Sequence, residues 1–566
     1  MYINSVYLKG YRNYSDSYIK FNQSTLVIGS NDVGKTNLLY SLRLLLDKSL
    51  SELDIEPKNS DFHINNEGDQ SDFIEIIINF KDVKEDAVLS RLSGYVSDDN
   101  QTFIKYCASR NPLDYKIFIG HKENDMDEVS SRFYLKYLSL KYVNSQRDLM
   151  KYISTEKKHL LRLAQDSRSK EQAEKDELTL KSLTALLTDV NDKVKDISYV
   201  SMATKELNAE LKKLSYNNEK YTVELDSGAI GVDQFIEKLE LSSNANGKKV
   251  MLGGDGFNNQ ILLALWKTKS VREHDVENEV VIYCVEEPES HLYPHQQRKL
   301  SEYLINKLPG QSIVTTHSPQ IAVNYPPDSI IKICSSDGES YAASEGCANC
   351  ISKSWDGMGY RISILPAEAF FAKVVFLVEG PSELLFYQEL SKANEIDLDY
   401  YNISILSVDG VQFEVYKKIL DAFEIKWVAR TDNDVSKVPK KNEWQYAGLN
   451  RALSLCGIEN LPNENAPITE ENAINSLNGK KKILNENHIY VSYKDLEGDI
   501  SCELSTQLRE HVGIDSNDEA AQYLRGKKAI RMRLFLKQYG DQLHAIRNGE
   551  LIKPLLSALQ LAKEEA

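Results

Sequence analysis

An apolar run, Ser24-Thr25-Leu26-Val27-Ile28, leads directly into Gly29-Ser30-Asn31-Asp32-Val33-Gly34-Lys35-Thr36, and a leucine stripe at helical spacing (Leu38, Leu39, Leu42, Leu45, Leu46) follows at once. No other feature limits the fold as strongly. A GxxxxGK[ST] loop works only between a buried strand and a helix N-terminus, because the loop N–H groups and the first helical turn together cradle an anion. The chain must therefore contain a strand–loop–helix unit within an α/β sheet. Gly29, Asn31 and Gly34 belong to the cradle, Lys35 reaches the outer phosphates, and the Thr36 hydroxyl is a ligand for Mg²⁺. These residues predict a nucleoside triphosphate, ATP, as ligand.

Later segments define the kind of ATPase. The apolar run Val280-Val281-Ile282-Tyr283-Cys284-Val285 ends in Glu286-Glu287-Pro288-Glu289-Ser290-His291-Leu292-Tyr293-Pro294. A further run, Ser312-Ile313-Val314-Thr315, ends in Thr316-His317-Ser318-Pro319. In this order they resemble the Walker B and switch-histidine segments of ABC-type ATPases. That resemblance implies Glu286 beside the metal, Glu287 polarising the attacking water and His317 sensing the γ-phosphate. Two departures stand out. Glu286 occupies the usual place of an Asp, and Gly253-Gly254-Asp255-Gly256 keeps the glycines of the ABC signature without its Ser. Both point to ATP binding with slow turnover.

A second chemistry begins beyond residue 370. The run Val375-Phe376-Leu377-Val378 ends in Glu379-Gly380-Pro381-Ser382-Glu383, and Glu424 to Arg430 reads as a strand before Asp432-Asn433-Asp434. Asp495 and Glu497 follow. The four-residue spacing of Glu379 and Glu383 predicts two carboxylates on one helix face. Carboxylates gathered at strand ends suit Mg²⁺ or Mn²⁺, which take oxygen ligands. Glu379, Asp432 and Asp434 are candidates for one ion, and Glu383, Asp495 and Glu497 for a second. Two ions suit phosphodiester hydrolysis, one activating water and one stabilising the leaving oxygen. A basic residue, Lys528 or Lys527, would offset charge at the scissile phosphate. Asp409-Gly410 either lines the same crevice or forms a turn. The acid set resembles the Toprim domain of topoisomerases, primases and overcoming-lysogenization-defect (OLD) nucleases.

Further strands are expected around Ile3, Val6 and Leu8, at Phe73–Ile78 and at Leu138–Val143. From Thr155 to Leu214 neither Gly nor Pro occurs, and Leu178, Leu180, Leu183, Leu186, Leu187 and Val190 recur at helical spacing. One or two inserted helices are expected there, as packing material or an oligomer contact. The resulting domain map is 1–154 for the N-terminal ATPase part, 155–240 for the helical insertion, 241–364 for the C-terminal ATPase part and 365–566 for Toprim. The fold class is α/β: an SMC-like ATPase with a helical insertion, then a Toprim domain.

With 84 acidic against 68 basic residues the formal charge is −16, so overall charge cannot hold this chain on DNA. Any such contact needs a local patch, and the best is Arg525, Lys527, Lys528, Arg531, Arg533 and Lys537. It is otherwise a solvated helix face. Seven cysteines with a lone Cys347-Ala348-Asn349-Cys350 make neither a disulfide framework nor a four-ligand zinc site. No run approaches the roughly 18 apolar residues of a membrane span, and Met1-Tyr2-Ile3-Asn4 lacks a signal-peptide pattern. A cytoplasmic protein without membrane contact is expected.

ATPase motifs, helical insertion and Toprim acids, in that order over essentially the whole chain, resemble the OLD family. The stretches that carry the likeness include Asn31 to Asn37, Gly254-Asp255-Gly256, Glu286 to Glu289, Thr316 to Pro319, Val378 to Glu383, Thr431 to Asp434, Gly448 to Arg451 and Asp495 to Glu497. The likeness is nearest to the nuclease subunit of Gabija-type anti-phage systems, and retron-associated members share the architecture. It implies an ATP-regulated, metal-dependent DNA endonuclease or nickase in anti-phage defence. It also implies a homo-oligomer, dimer or tetramer, with a second defence protein, either a helicase or a retron reverse transcriptase with its nucleic acid. A type IA topoisomerase would need a tyrosine domain after Toprim, and a primase would need a zinc module. A non-catalytic ATP-gated DNA clamp of the SMC or recombination type is the alternative, separated by metal-dependent cleavage.

Overall fold

The computed structural model describes residues 1–143, 149–214, 220–223, 279–290, 292–308, 310–347, 367–408, 410 and 412–564, with the short strands Ser242–Ala245 and Lys248–Met251 and a few single positions between 224 and 278. Gly253 to Gly256, His291, Cys350, Asp409 and the domain junction at Leu365-Pro366 lie outside the described residues. The chain divides into two compact units. One comprises Met1–Ser145, Val276–Glu289 and Tyr293–Ala566; the other comprises Gln146–Asp275 and Ser290–Leu292.

The first unit holds three principal sheets. In one, Tyr14–Lys20, Tyr2–Tyr11, Phe73–Lys81, Thr102–Ser109, Asp114–Lys122 and Asp125–Val129 lie side by side, all antiparallel. Burial alternates along Thr102–Ser109, with Ile104, Tyr106 and Ala108 inward, as a sheet covered on one face requires.

The second sheet runs Glu339–Ala342, Ile330–Ser336, Ser24–Ile28, Ser312–Thr315, Val280–Glu286, Leu138–Val143. It is parallel except for its edge hairpin. Every residue of Val280–Glu286 is buried, which is why the sequence there is continuously apolar rather than alternating. Parallel pairing brings the C-terminal ends of Ser24–Ile28, Ser312–Thr315 and Val280–Glu286 to one edge, where open α/β sheets bind ligands.

The third sheet, Ile403–Ser407, Val374–Val378, Lys426–Thr431, Ile489–Val491, is wholly parallel. Phe376, Val378 and Val428 share its core with Phe386, Leu496, Met532, Phe535 and Leu555 from the surrounding helices. Truncating Phe376 to Ala would cost about 3–5 kcal/mol.

Several elements differ from the sequence expectation. Among the described residues the inserted segment holds three helices, Leu149–Asp166, Lys170–Lys195 and Ser198–Leu214. Its first break is made by Ser169, whose side chain caps the next helix through Gln172, so no Gly or Pro marks it. Glu424 lies in a turn with φ 50°, and the strand starts at Lys426. Tyr14–Lys20, Thr102–Ser109, Asp114–Lys122, Asp125–Val129, Ile330–Ser336 and Ile489–Val491 are strands that the apolar patterning did not single out. Among the described residues no helix is long and apolar enough to cross a membrane.

Candidate nucleotide and metal sites

The phosphate cradle needs its glycines. Gly29 and Gly34 have φ of 153° and 98°, and a Cβ would lie 2.6 Å from the Ile333 carbonyl at Gly29 and 2.2 Å from Asn13 Nδ2 at Gly34. Neighbouring elements pin the loop. Ser340 Oγ donates to the Val33 carbonyl at 2.7 Å, and the Tyr14 hydroxyl donates to the Gly34 carbonyl at 3.0 Å. Lys35 starts the helix Lys35–Leu46, and its buried Nζ donates to the carbonyls of Gly29 and Ser30 at 3.0 and 2.6 Å. Burial lowers its pKa, against the pull of Glu287 and Asp32. Asn31 and Thr36 stay exposed.

Glu286 ends its strand buried. Glu287 follows at φ 42°, its N–H donating to the Thr315 carbonyl at 3.0 Å, and this turn sets its Oε1 3.4 Å from His317 Nε2. Burial, then the Lys35 charge, depresses the His317 pKa. Glu289 is a residue to which the sequence motifs assign no role. Its Oε1 accepts from Thr316 Oγ1 and from the His317 N–H, both at 2.8 Å, so it holds the switch segment. Desolvation raises its pKa. The Glu-Glu-Pro-Glu spacing was the available signal.

In the Toprim part Glu379 closes the strand Val374–Val378, Gly380 is extended, and the helix runs Pro381–Ala393. Glu379 therefore precedes the helix, and the expected shared helix face does not exist. The strand-to-helix turn brings the two acids near each other instead, with Glu383 Oε2 3.4 Å from where a Gly380 Cβ would stand. Glu379 Oε1 accepts from Thr431 Oγ1 at 2.5 Å, from the Asp432 N–H at 2.8 Å and from the Arg451 guanidinium.

Asn433 is the pin of the Asp-Asn-Asp turn. It is buried, its Nδ2 donates to the carbonyls of Ala473 and Tyr493 at 3.3 and 3.2 Å, and its N–H donates to the Lys494 carbonyl at 2.9 Å. Asp432 is thereby buried and Asp434 exposed. Burial, then the Glu379 charge, pushes the Asp432 pKa well up. Burial likewise raises Glu383 and Glu497. Asp495 goes the other way. Although burial opposes it, two hydrogen bonds from Arg525, at 2.6 and 2.9 Å, lower its pKa while it also caps the helix Leu496–Glu503 through the Gly498 N–H. Of the two lysines, Lys528 is the one whose charge reaches the acids. Burial lowers its pKa, but Glu497, Asp432, Glu383 and Glu379 outweigh that and raise it.

The acids carry arginine counter-ions absent from the expected site. Arg451 spans Glu379 and, at 3.3 Å, Asp434. Arg430 is buried, 2.8 Å from Asp499 and 3.9 Å from Asp432. Gly448 explains how Arg451 arrives, since a Cβ there would lie 2.0 Å from the Asp432 carbonyl, so its helix, Ala447–Leu455, abuts the Asp-Asn-Asp turn. Among the described residues no group of three or more His, Cys, Asp or Glu is gathered so as to hold a metal ion. The acids offer only oxygen donors, the type a hard divalent cation takes, and Arg451 spans two of these carboxylates.

The two sites are physically joined. Ser340, which holds the P-loop, lies in the strand Glu339–Ala342, and the next turn, Ala343–Glu345, presents Ser344. Ser344 donates its N–H to Glu424 Oε1 at 3.1 Å and its Oγ to the Ala422 carbonyl at 2.7 Å, just before the strand that leads to Asp432.

Residues 1–322 match the AAA ATPase domain family. Residues 370–434 match the Toprim domain of overcoming-lysogenization-defect-like proteins. The chain is 26% identical over 573 residues to Endonuclease GajA of Bacillus cereus (strain VD045), covering 94% of each chain. The SMC head domain from Thermotoga maritima is 12% identical, with 60% of this chain and 98% of that one covered and a TM-score of 0.32. For the Smc head domain with an extended coiled coil, bound to the C-terminal domain of ScpA and derived from Pyrococcus furiosus, the values are 15%, 60%, 95% and 0.36.

Proposed function

This chain belongs to the AAA ATPase domain family and, through its Toprim domain, to the overcoming-lysogenization-defect proteins, and from that premise we propose that it is an ATP-regulated, divalent-metal-dependent DNA endonuclease or nickase. The observation that carries the reading is the meeting of Glu379 and Asp432 at adjacent parallel strand ends, with the Lys528 charge directed at them. Likeness to Endonuclease GajA over nearly the whole chain supports it.

Glu379, Asp432 and Asp434 would hold one Mg²⁺ or Mn²⁺, and Glu383 and Glu497, with Asp495, a second. Bound cations supply an activated water and stabilise the leaving oxygen. Glu379 and Asp434 would exchange the Arg451 guanidinium for the cation. Burial disfavours the ionised forms of Asp432, Glu383 and Glu497 that would bind a cation, and the nearby Lys528 charge favours those of Asp432 and Glu497. Lys528 then offsets charge on the scissile phosphate. In the ATPase part Gly29, Asn31, Gly34, Lys35 and Thr36 hold ATP and its Mg²⁺. Glu286 would lie beside that metal, Glu287 would polarise the attacking water and His317 would sense the γ-phosphate, with the Ser340–Ser344 segment passing nucleotide state to the strand before Asp432.

The domain map 1–154, 155–240, 241–364 and 365–566 is our working division. We place the protein in the cytoplasm, as a dimer or tetramer in anti-phage defence beside a helicase or a reverse transcriptase. Exposed Leu178, Leu186 and Val190 on the helix Lys170–Lys195 support a self-association face. The test is purified protein with supercoiled and linear DNA, with and without Mg²⁺, Mn²⁺ and ATP. Metal-dependent nicking or cutting is expected. Binding without any cleavage in either metal would favour the ATP-gated clamp and overturn the nuclease reading.

A further inference from the structure

The helix Lys528–Tyr539 has two unlike faces. Met532, Phe535, Leu536 and Tyr539 are buried in the Toprim core. Lys527, Ile530, Arg533, Leu534 and Lys537 face outward, with Ile530 64% and Leu534 51% exposed. From 527 to 537 the chain has Lys527, Lys528, Arg531, Arg533 and Lys537 and no acid, in a protein of net charge −16.

Two of these cations are already engaged. Arg531 stacks 4.0 Å over the Tyr523 ring and donates to the Tyr523 carbonyl, and Lys528 answers to the acid site. Lys527, Arg533 and Lys537 have no ion-pair partner among the described residues. Arg533 and Lys537 are neighbours at i and i+4, an arrangement that weakens a helix rather than helping it. A polyanion lying across the face would reverse the sign of that interaction.

We propose that this face seats the phosphate backbone of duplex DNA beside the bond to be cleaved, with Ile530 and Leu534 against the sugars. The proposal rests on the nuclease reading and gives it a substrate track. Charge selects the occupant, and the track begins at Lys527, the neighbour of Lys528, whose charge the acids feel. The ten steps from Lys527 to Lys537 rise about 15 Å. One strand of B-DNA presents a phosphate about every 3.4 Å of axis, so the track spans about four.

The experiment measures affinity for a fluorescent duplex against NaCl concentration, without divalent metal, in a catalytically silent Asp432→Asn background. Each phosphate contact contributes about −0.9 to the slope of log K on log salt. Arg533→Ala with Lys537→Ala should make that slope shallower by about 1.8, and Arg533→Lys with Lys537→Arg should restore it. In the otherwise native chain the Ala pair should raise KM for DNA and leave kcat at saturating DNA in place. An unchanged slope, or a kcat loss that the charge-keeping pair does not rescue, overturns the track. A shallower slope in a protein that never cleaves keeps the track and removes the nuclease reading alone.

Discussion

The two sites of this chain are built on opposite principles. The phosphate cradle is made from eight consecutive residues, Gly29 to Thr36, and its function lies mostly in backbone N–H groups that any sequence meeting the glycine and lysine requirements will present. The acid site takes its groups from segments at 379–383, 430–434, 451, 495–499 and 525–528, and its function lies entirely in side chains. In the cradle the one buried cation, Lys35, donates to the carbonyls of Gly29 and Ser30. Among the acids, like charges in a poorly solvated site repel. Burial raises the pKa of Asp432, Glu383 and Glu497, and Arg451, Arg430 and Arg525 close on the carboxylates around them. The backbone site is shaped by its glycines, whereas the carboxylates are balanced against arginines brought from other segments.

The sharpest break between the sites is functional. Asp432→Asn or Glu379→Gln should lower plasmid nicking by at least about 100-fold, the scale of losing a group that stabilises transition-state charge, while ATP affinity stays unchanged. Nicking at the wild-type rate by either variant would remove the acids from the mechanism. Lys35→Ala makes the reciprocal change. It should weaken ATP binding by roughly 10- to 100-fold, the loss of one charge-assisted phosphate contact, and leave cleavage indifferent to added nucleotide. Cleavage that still follows ATP in this variant would show the cradle is not the sensor.

The counter-ion contrast can be tested on the metal-free protein. Without Arg451, Glu379 and Asp434 need not exchange an ion pair before binding a cation. Arg451→Ala should therefore bind Mn²⁺ about tenfold more tightly, read by calorimetry or by loss of the free-ion resonance. Weaker Mn²⁺ binding would make Arg451 a support of the ligand set rather than a competitor.

The join between the sites should carry a smaller effect. Ser344→Ala with Glu424→Ala removes the hydrogen bonds at the turn before Lys426–Thr431. Coupling free energies are commonly about 1–3 kcal/mol, so the fold-effect of ATP on cleavage should fall severalfold at unchanged ATP affinity. An undiminished ATP effect would send the coupling elsewhere.

Stability against pH gives the mildest signal. The raised Asp432 pKa means that the folded chain holds this proton more tightly than the unfolded chain. Its contribution is present at low pH and is lost as pH rises through the folded pKa. Asp432→Asn should thus melt above wild type at pH 8, and the gap should narrow as pH falls. A variant that melts below wild type throughout that range would mean Arg430 over-compensates the buried charge.

How much of this was legible depended on locality. Lys35, Thr36, Glu287 and His317 sit beside strand ends that their own apolar runs announce. Glu379 and Asp432 are similarly marked, although the helix-face argument for Glu379 and Glu383 failed because Gly380 stays extended before the helix begins. Arg430, Arg451 and Arg525 carry no motif that names a partner. Whether an arginine meets a carboxylate depends on the helix that delivers it, and for Arg451 that rests on the missing Cβ of Gly448.

By itself the amino-acid sequence determined the two chemistries, the order of their motifs and the strands that end in them, because hydrophobic runs and short-range spacing act over a few residues. Tertiary structure alone decided which acids are buried, which arginines neutralise them and how Ser344 ties the ATPase hairpin to the Toprim strand. Those outcomes depend on side chains far apart in sequence meeting across parallel strands in a medium of low polarity, where both charge separation and desolvation are set by packing rather than by spacing.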